Sequence, residues 1–391
     1  MGVSVSNKRF NVVGVTQLND SYPNVKYKLA MLARLLSTDY VEFLVPIDKG
    51  DPSRNIIPSL ESSRFGLVWR MLLGHVKVLF YCLRQRSDRI YVCYPGVFIA
   101  ACLGLPILRS RYQHMYLDAF ISLYDTVVCD RRLIKADSLL AKLLFLVEKK
   151  AFSSATTVLV DTPENAHYYS ELFQLPLDRF YSMPLSIPPL VPIKTPAETG
   201  MKGRLKCVFV GTFVPLQGVA IIVDAIRFLG VDSGIDFVFV GDGQDAGCLQ
   251  DYIENSRAVN VTWHRGHFPT EFVVEQIVSA DLCLGVFGVD PKTQRVLPYK
   301  IYYYLALAMP VLTASTTATE RIGNECRARA NASPFAVVPA GDANSLAEAL
   351  AQLRDHPDQY ASLGAAAGEY YERGLSEAAI QQSMRELLAA T

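Results

Sequence analysis

Short runs rich in Val, Ile and Phe alternate with longer amphipathic segments along nearly the whole chain, and the pattern is run through twice. In the first pass "FNVVGVT" (10–16), "VEFLVPI" (41–47), "RIYVCY" (89–94), "HMYLDAF" (114–120) and "TTVLVDT" (156–162) read as strands. Helices are predicted near 24–37 and over 138–152. Composition then shifts: "MPLSIPPLVPIKTP" (183–196) carries Pro184, Pro188, Pro189, Pro192 and Pro196, which neither a helix interior nor a central strand accepts, so it reads as a linker. The second pass has "KCVFVGT", "DFVFVGDG", "VTWHRG", "LCLGVFG", "PVLTAS" and "FAVVPA", with helices predicted over 218–229, 246–256, 270–280 and 299–308. Such alternation is the signature of parallel α/β sheets. The predicted fold is α/β, two tandem Rossmann-like doubly wound domains (1–188 and 189–372) with a cleft between them, where ligands bind. Residues 373–391 are expected to form a helix crossing back to the first domain.

Half of the 391 residues are hydrophobic and 19% are charged, which excludes a disordered chain. The zero net charge hides an asymmetry: residues 1–190 hold 22 Lys and Arg against 16 Asp and Glu, a net of +6, and the remainder is −6. A basic first half suits an anionic lipid surface; chance and buried pairs give the same count. Nucleic acid is not expected as a partner. The eight cysteines are scattered with no C-x-x-C pair, and the start has no long apolar core, so a cytoplasmic setting with free thiols is expected. The uncharged stretch from Ile90 to Leu108 nears the length of a membrane span, but Pro95-Gly96 and Gly104-x-Pro106 cut it into a strand, a turn and a short helix over 97–103. "FGLVWRMLLGHVKVLFYCLRQR" (65–86) is apolar with spaced cations at Arg70, Lys77, Arg84 and Arg86. It is expected to be a core helix with a basic edge, the alternative being a helix lying in a membrane interface.

Three stretches carry candidate chemistry. "VFVGDGQDA" has the spacing G-x-G-x-x-A of a relaxed dinucleotide fingerprint beginning at Gly241, but the next strand ends in His264 and Arg265 with no ribose-binding acid. A tight turn that needs glycine for backbone reasons is therefore preferred to NAD binding. "FGVDPKTQRVLPYK" places Lys292, Arg295 and Lys300 before and inside a helix start marked by Pro298, a competent site for a diphosphate. The competing reading is a solvated basic loop. "YLDAFISLYDTVVCDRR" holds Asp118 at a strand end, with Asp125 and Asp130 equally able to serve as caps or ion-pair partners. No metal-ligand spacing is present, so no metal is expected, and neither G-x-S-x-G nor H-E-x-x-H occurs.

Taken together, "VFVGTFVPLQGV", "VFVGDG" and "ADLCLGVFG…PKTQRVLPYKIYYYLALAMPVLTASTTATERI" resemble the family 4 retaining glycosyltransferases of the GT-B fold. The likeness is strongest to a branch building bacterial cell-surface polysaccharides, which "LDAFISLYDTVVCDR" and "LVDTPENAHYY" also resemble. The resemblance implies a peripheral, metal-independent enzyme at the inner face of the plasma membrane. It would move sugar from a nucleotide-sugar to a saccharide or lipid-linked acceptor with retention. Lys292, Arg295 and Lys300 would hold the diphosphate, with Arg295 and Lys300 joining Asp118 as catalytic residues. Gly211, Thr212, Phe213, Gln217, Gly241, Gly266 and Tyr303 would complete the donor site. Asp125 and Tyr22 would lie on the acceptor side. The family's two glutamates align with Arg295 and Tyr303, and its loop cations with Thr212 and Gln217. These departures admit two alternatives, a non-catalytic binding or assembly subunit and an epimerase. Helical spacing groups Lys300, Tyr303, Tyr304 and Leu307 on one face of the 299–308 helix, with Ile301, Leu305 and Ala308 packing on the sheet.

Overall fold

The computed structural model of the chain describes residues 10–16, 23–36, 40–46, 63–85, 87–190, 204–256 and 259–390. The chain divides into two units, Met1–Pro188 with Ile380–Thr391, and Pro189–Ala379. Each is built on a parallel six-stranded sheet, so both are Rossmann-like and the fold is GT-B.

The first unit contains β1 (Phe10–Thr16), α1 (Pro23–Leu36), β2 (Tyr40–Pro46), α2 (Ser63–Arg84), β3 (Arg89–Val92), α3 (Val97–Leu103), α4 (Pro106–Arg109), β4 (His114–Asp118), α5 (Leu139–Ser154), β5 (Thr157–Val160), α6 (Pro163–Phe173) and β6 (Phe180–Ser182). Its strand order is β2-β1-β3-β4-β5-β6. Val13, Val15, Ile90, Val92, Met115, Leu117, Val158 and Val160 point into one core under α3, α5 and α6. The strand β6 is absent from the sequence reading because its three residues, "FYS", belong to no apolar run. Helix α6 was equally unread, although its sequence signals its start: the Thr162 side chain accepts from Asn165 N–H, and Pro163 opens the first turn. Beyond β6 the proline-rich segment is irregular through Leu190, and residues 191–196 of the expected linker lie outside the described residues.

The second unit contains β7 (Leu205–Val210), α7 (Val219–Leu229), β8 (Ile235–Val240), α8 (Ala246–Ser256), β9 (Val261–His264), α9 (Thr270–Val278), β10 (Leu282–Leu284), α10 (Tyr299–Ala306), β11 (Val311–Ser315), α11 (Thr317–Ala330), β12 (Phe335–Pro339), α12 (Ala343–Asp355) and α13 (Asp358–Gly374). Its strand order is β12-β11-β10-β7-β8-β9. The reversal on either side of β7 and β10 opens a crevice at the carboxyl ends of those strands, where open α/β sheets bind ligands. The last helix, α14 (Glu377–Ala389), carries the chain back to the first unit, where the Tyr181 hydroxyl donates to Ser383 O at 3.2 Å.

The expectation that 65–86 is a core helix is overturned. Among the described residues of α2, from Trp69 on, only Gly74, Val78 and Cys82, one turn apart, are buried, while Trp69, Leu72, Val76, Phe80 and Leu83 are exposed. A Cβ on Gly74 would sit 3.2 Å from Val15 and Val45 methyls, so the inner stripe lies tight on β1 and β2. The sheet has room for one narrow face of this helix, and the rest of its apolar surface is turned outward. Among the described residues no helix is long and apolar enough to cross a membrane. The eight cysteines are free thiols.

Two buried carboxylates brace the end of β4. The Lys28 ammonium donates to Asp118 Oδ2 at 3.3 Å and the Tyr91 hydroxyl to the same oxygen at 2.7 Å, joining α1, β3 and β4. Glu148, fully enclosed on α5, accepts from Leu123 N–H, Tyr124 N–H and the Ser122 hydroxyl, each at 2.8 Å. It thereby fixes the loop leading to the π-helical turn Asp125–Asp130. Burial pushes the Glu148 carboxyl up to about 7 against the pull of those three donors. The folded protein thus holds this proton longer than the unfolded chain does, and the stability it confers is present below pH 4.5 and lost as pH rises to about 7. Glu148→Gln cannot titrate and turns an amide donor toward another donor, a cost of roughly 1–3 kcal/mol. Thermal melting of the two proteins from pH 4.5 to 8 should show a deficit in the variant that narrows toward pH 7; a constant deficit would rule out this titration.

Candidate functional site

The loops above β7, β8 and β10 are held together by backbone contacts that only glycine permits. A Cβ on Gly241, whose φ is +138°, would lie 1.8 Å from Gly211 O, and one on Gly243 would lie 2.7 Å from Phe213 N and O. Phe213 N–H donates to Asp242 O at 3.1 Å, and Asp245 N–H to Phe213 O at 2.9 Å. The glycines of the G-x-G-x-x-A spacing are therefore used to dock two turns against each other, the backbone role preferred from sequence. On the other side a Cβ on Gly288 would lie 2.5 Å from Pro215 O and Leu216 O, bringing the β10 loop against the β7 loop.

Lys300 occupies the centre of this loop cluster. It stands in the first turn of α10, directly after Pro298 and Tyr299, and its side chain is buried. Its ammonium donates to Gln217 Oε1 at 3.0 Å and to Gly285 O at 3.1 Å, and lies 3.3 Å from the centre of the Phe209 ring. All three partners are neutral. Burial drives the Lys300 pKa well below its ordinary value, because the partners replace hydration without supplying a negative charge.

The ammonium borders a pocket of about 280 Å³ within the second unit. Gly211, Thr212 and Gln217 of the β7 loop form one wall, and Pro298, Tyr299 and Tyr303 of α10 another. Phe268, Val273 and Ile277 close it with an apolar third wall. Lys300 is the one charged residue in this lining. The apolar wall was missed from sequence; its signal is the amphipathic run "FPTEFVVEQI" directly after β9.

The remaining candidates fall in several places. Lys292 and Arg295 are buried in the turn before α10, where Lys292 N–H donates to Asp290 Oδ1 and the Thr293 hydroxyl to Leu216 O, and neither lines the pocket. Tyr303 lines it, packed edge-on against Tyr299 at 5.5 Å. Tyr304 does not: its hydroxyl accepts from Val210 N–H at 3.1 Å at the end of β7. The expected grouping of Tyr304 with Tyr303 is corrected, because α10 is enclosed on nearly every side and Tyr304 belongs to the sheet. Ile301 and Leu305 are buried as expected. Gly241 and Phe213 lie behind the β7 loop, and Gly266, with φ +127°, follows β9 outside the lining. Asp118 and Asp125 are buried in the first unit, and Tyr22 lies outside the described residues. Among the described residues no three His, Cys, Asp or Glu side chains converge as metal ligands.

Residues 204–356, which contain this site, match the family described as Glycosyl transferases group 1. Solved structures share the whole architecture at low identity. Anabaena HepE in complex with UDP superposes with a TM-score of 0.67 at 12% identity, over 98% of this chain and 100% of that one. The sucrose-phosphate synthase of Thermosynechococcus elongatus gives 0.65 at 15%, over 98% and 100%. The lipopolysaccharide outer core galactosyltransferase WaaB gives 0.64 at 11%, over 97% and 99%. No curated protein matches by sequence.

A cation whose pKa is lowered by burial makes the ligand-free fold sensitive to alkaline pH. The unfolded lysine binds its proton more tightly than the folded one, so stability rises with pH from the lowered pKa up to 10.5. Lys300→Met should lack this rise. Melting curves of wild type and variant between pH 7 and 10 should converge toward the alkaline end, and parallel curves would mean that Lys300 is not desolvated.

Proposed function

We propose that this chain, a group 1 glycosyltransferase of the GT-B fold, moves a sugar from a nucleoside-diphosphate sugar to a saccharide on a lipid-linked carrier, with retention and without a metal. The carrying observation is the enclosed Lys300 ammonium, which faces a pocket and whose partners among the described residues, Gln217, Gly285 and Phe209, are neutral. A diphosphate supplies the missing charge. UDP is the nucleotide of first choice because HepE, which shares the fold, binds it. The apolar wall of Phe268, Val273 and Ile277 suits a base, and Thr212 and Gln217 offer polar contacts beside it.

In this reading the bond between the anomeric carbon and the diphosphate oxygen breaks, and a bond to the acceptor oxygen forms on the same face of the sugar. The acceptor proton passes to the departing diphosphate. Lys300 stabilises the charge that grows on that leaving group, where a preorganised cation in a water-poor site is most effective. Lys292 and Arg295 add positive potential from behind the helix start. Asp118 is assigned to the acceptor side from its place at the end of β4; its Oδ2 is held by Lys28 and Tyr91, and among the described residues its enclosed Oδ1 has no hydrogen-bond partner. A role in surface polysaccharide synthesis at the inner face of the plasma membrane is supported by the fold shared with WaaB and WaaG, both of lipopolysaccharide synthesis.

A second reading, a non-catalytic binding or assembly subunit, is favoured by one observation: Tyr303 stands in the pocket with no carboxylate beside it in the lining. Calorimetry with UDP-glucose and other nucleotide sugars separates the two, since a chain that binds none of them is not the transferase. Conversion of the nucleotide sugar into an isomer, with no acceptor and no net release of UDP, would point instead to an epimerase.

Lys300→Ala and Arg295→Ala should each lower UDP release by roughly a hundredfold, the range for losing one charge-stabilising group. Wild-type rates in both would remove the assignment. Tyr303→Glu should tighten UDP binding by about tenfold, the worth of a carboxylate hydrogen-bonded to a ribose diol. Unchanged or weaker UDP binding would show that Tyr303 does not adjoin the ribose.

A further inference from the structure

The first unit carries an apolar surface that its own fold leaves uncovered. On α2, Trp69, Leu72, Val76, Phe80 and Leu83 recur at intervals of three and four residues and form one outward stripe, with Trp69 63% exposed. Arg70, Lys77 and Arg84 each follow a stripe residue by one position and run alongside it. On α5, Leu139, Leu143 and Leu146 make a second stripe, with Leu139 85% exposed, beside Lys142 and Lys149. The strand order places α2, α3 and α5 on the same side of the sheet, since β2 to β3, β3 to β4 and β4 to β5 all step in one direction. Direct contacts place α3 beside both α2 and α5. His75 of α2 meets Phe98 of α3 edge-on at 6.0 Å, and a Cβ on Gly104, at the end of α3, would sit 1.8 Å from Ser154 Oγ on α5. Phe98 of α3 and Ile107 of α4 are exposed as well, Ile107 at 80%.

Charge identifies the occupant. From Ser63 to Gln113 the sequence holds a single acid, Asp88, and on α5 the one acid, Glu148, is turned inward and fully enclosed. A second copy of the chain docking through the same face would set its cations largely against identical cations, with Asp88 and Asp137 as the nearest acids in sequence among the described residues. A surface of anionic headgroups over acyl chains answers both features: the leucines and aromatics enter the interface, and the flanking Lys and Arg reach the phosphates. We infer that the outer face of α2, α3, α4 and α5 docks the first unit on an anionic phospholipid bilayer, with α2 lying flat along it over about 33 Å. This deepens the lipid-linked acceptor reading above, and it is independent of the donor site in the second unit.

The chain has two tryptophans, Trp69 and Trp263, so Trp263→Phe leaves a single reporter on the α2 stripe. The full chain with that change is mixed with vesicles of phosphatidylcholine containing about a quarter phosphatidylglycerol. The protein should sediment with these vesicles roughly tenfold more than with pure phosphatidylcholine, and Trp69 emission should shift to the blue and be quenched by brominated acyl chains. Adding Val76→Glu and Leu143→Glu, both on exposed positions, should cut sedimentation by roughly tenfold at an unchanged melting temperature. Sedimentation without Trp69 quenching, or undiminished by the two glutamates, would overturn the docking face. So would a dimer in light scattering that the same two changes dissolve. UDP binding, measured by calorimetry on the same proteins, reports on the donor site separately, so loss of one does not stand for loss of the other.

Discussion

The second unit is organised around one desolvated ammonium. Lys300 bonds the loop after β7 through Gln217 and the end of β10 through Gly285, and it lies over Phe209 of β7 from its place in α10. An ammonium pulled from water is costly unless its donors are met, and here each contact that meets it also fixes the position of a loop. The glycine contacts serve the same end. Gly241 and Gly243 bring the β8 turn onto the β7 loop, and Gly288 brings the β10 loop onto its other side, leaving Gln217 to reach over Gly211 toward the lysine. A pocket with one uncompensated positive charge follows from that packing.

Most of the architecture was legible because parallel sheets covered by helices write themselves as long periodic runs. The strand at 10–16 and the helix at 97–103 coincide with the observed elements, and the six strands of the second half are all present. Strand β6 was not legible because its three residues, Phe180–Ser182, sit in no apolar run, whereas the equally short β10, Leu282–Leu284, heads the run "LCLGVF". Helix α11 escaped for another reason. Its run "TATERIGNECRARA" is polar, and its start depends on Thr316 and Thr319 capping each other, a local exchange of hydrogen bonds that hydrophobic spacing does not register.

The candidate site was legible in type and less so in geometry. Proline before a lysine-bearing helix, at the carboxyl end of a central strand, was enough to single out Lys300. The same spacing grouped Lys292 and Arg295 with it, yet the turn between β10 and α10 folds those two away from the pocket lining. The path of this irregular turn is fixed by a local bond from Lys292 N–H to Asp290 Oδ1 and a tertiary one from the Thr293 hydroxyl to Leu216 O, and no periodicity encodes it. The tyrosine run shows the converse. Tyr303 and Tyr304 are neighbours in sequence, about 100° apart around α10. One lines the pocket and the other completes the hydrogen bonding of Val210.

Charge separates the two halves, and not in the sense that bulk counting suggests. The net-negative half holds the pocket read as anion-binding, while the net-positive half encloses Glu148 and Asp118. Distance and dielectric resolve the conflict. Surface carboxylates act across water, where their interactions are largely screened beyond about 8 Å at physiological salt. Lys300 would meet a ligand at contact in a partly dry pocket, where a charge pair about 4 Å apart interacts by about 4 kcal/mol at an effective dielectric of 20. One buried cation therefore outweighs several screened anions for a ligand already in the pocket. The net charge of that half acts mainly on the approach, slowing the encounter with a diphosphate at low ionic strength. On the first half the order is reversed. Its cations are exposed and spread over a face, so they act collectively once the face comes within a Debye length of an extended anionic surface. The same residue types thus divide between contact chemistry and steering according to whether the fold keeps water around them.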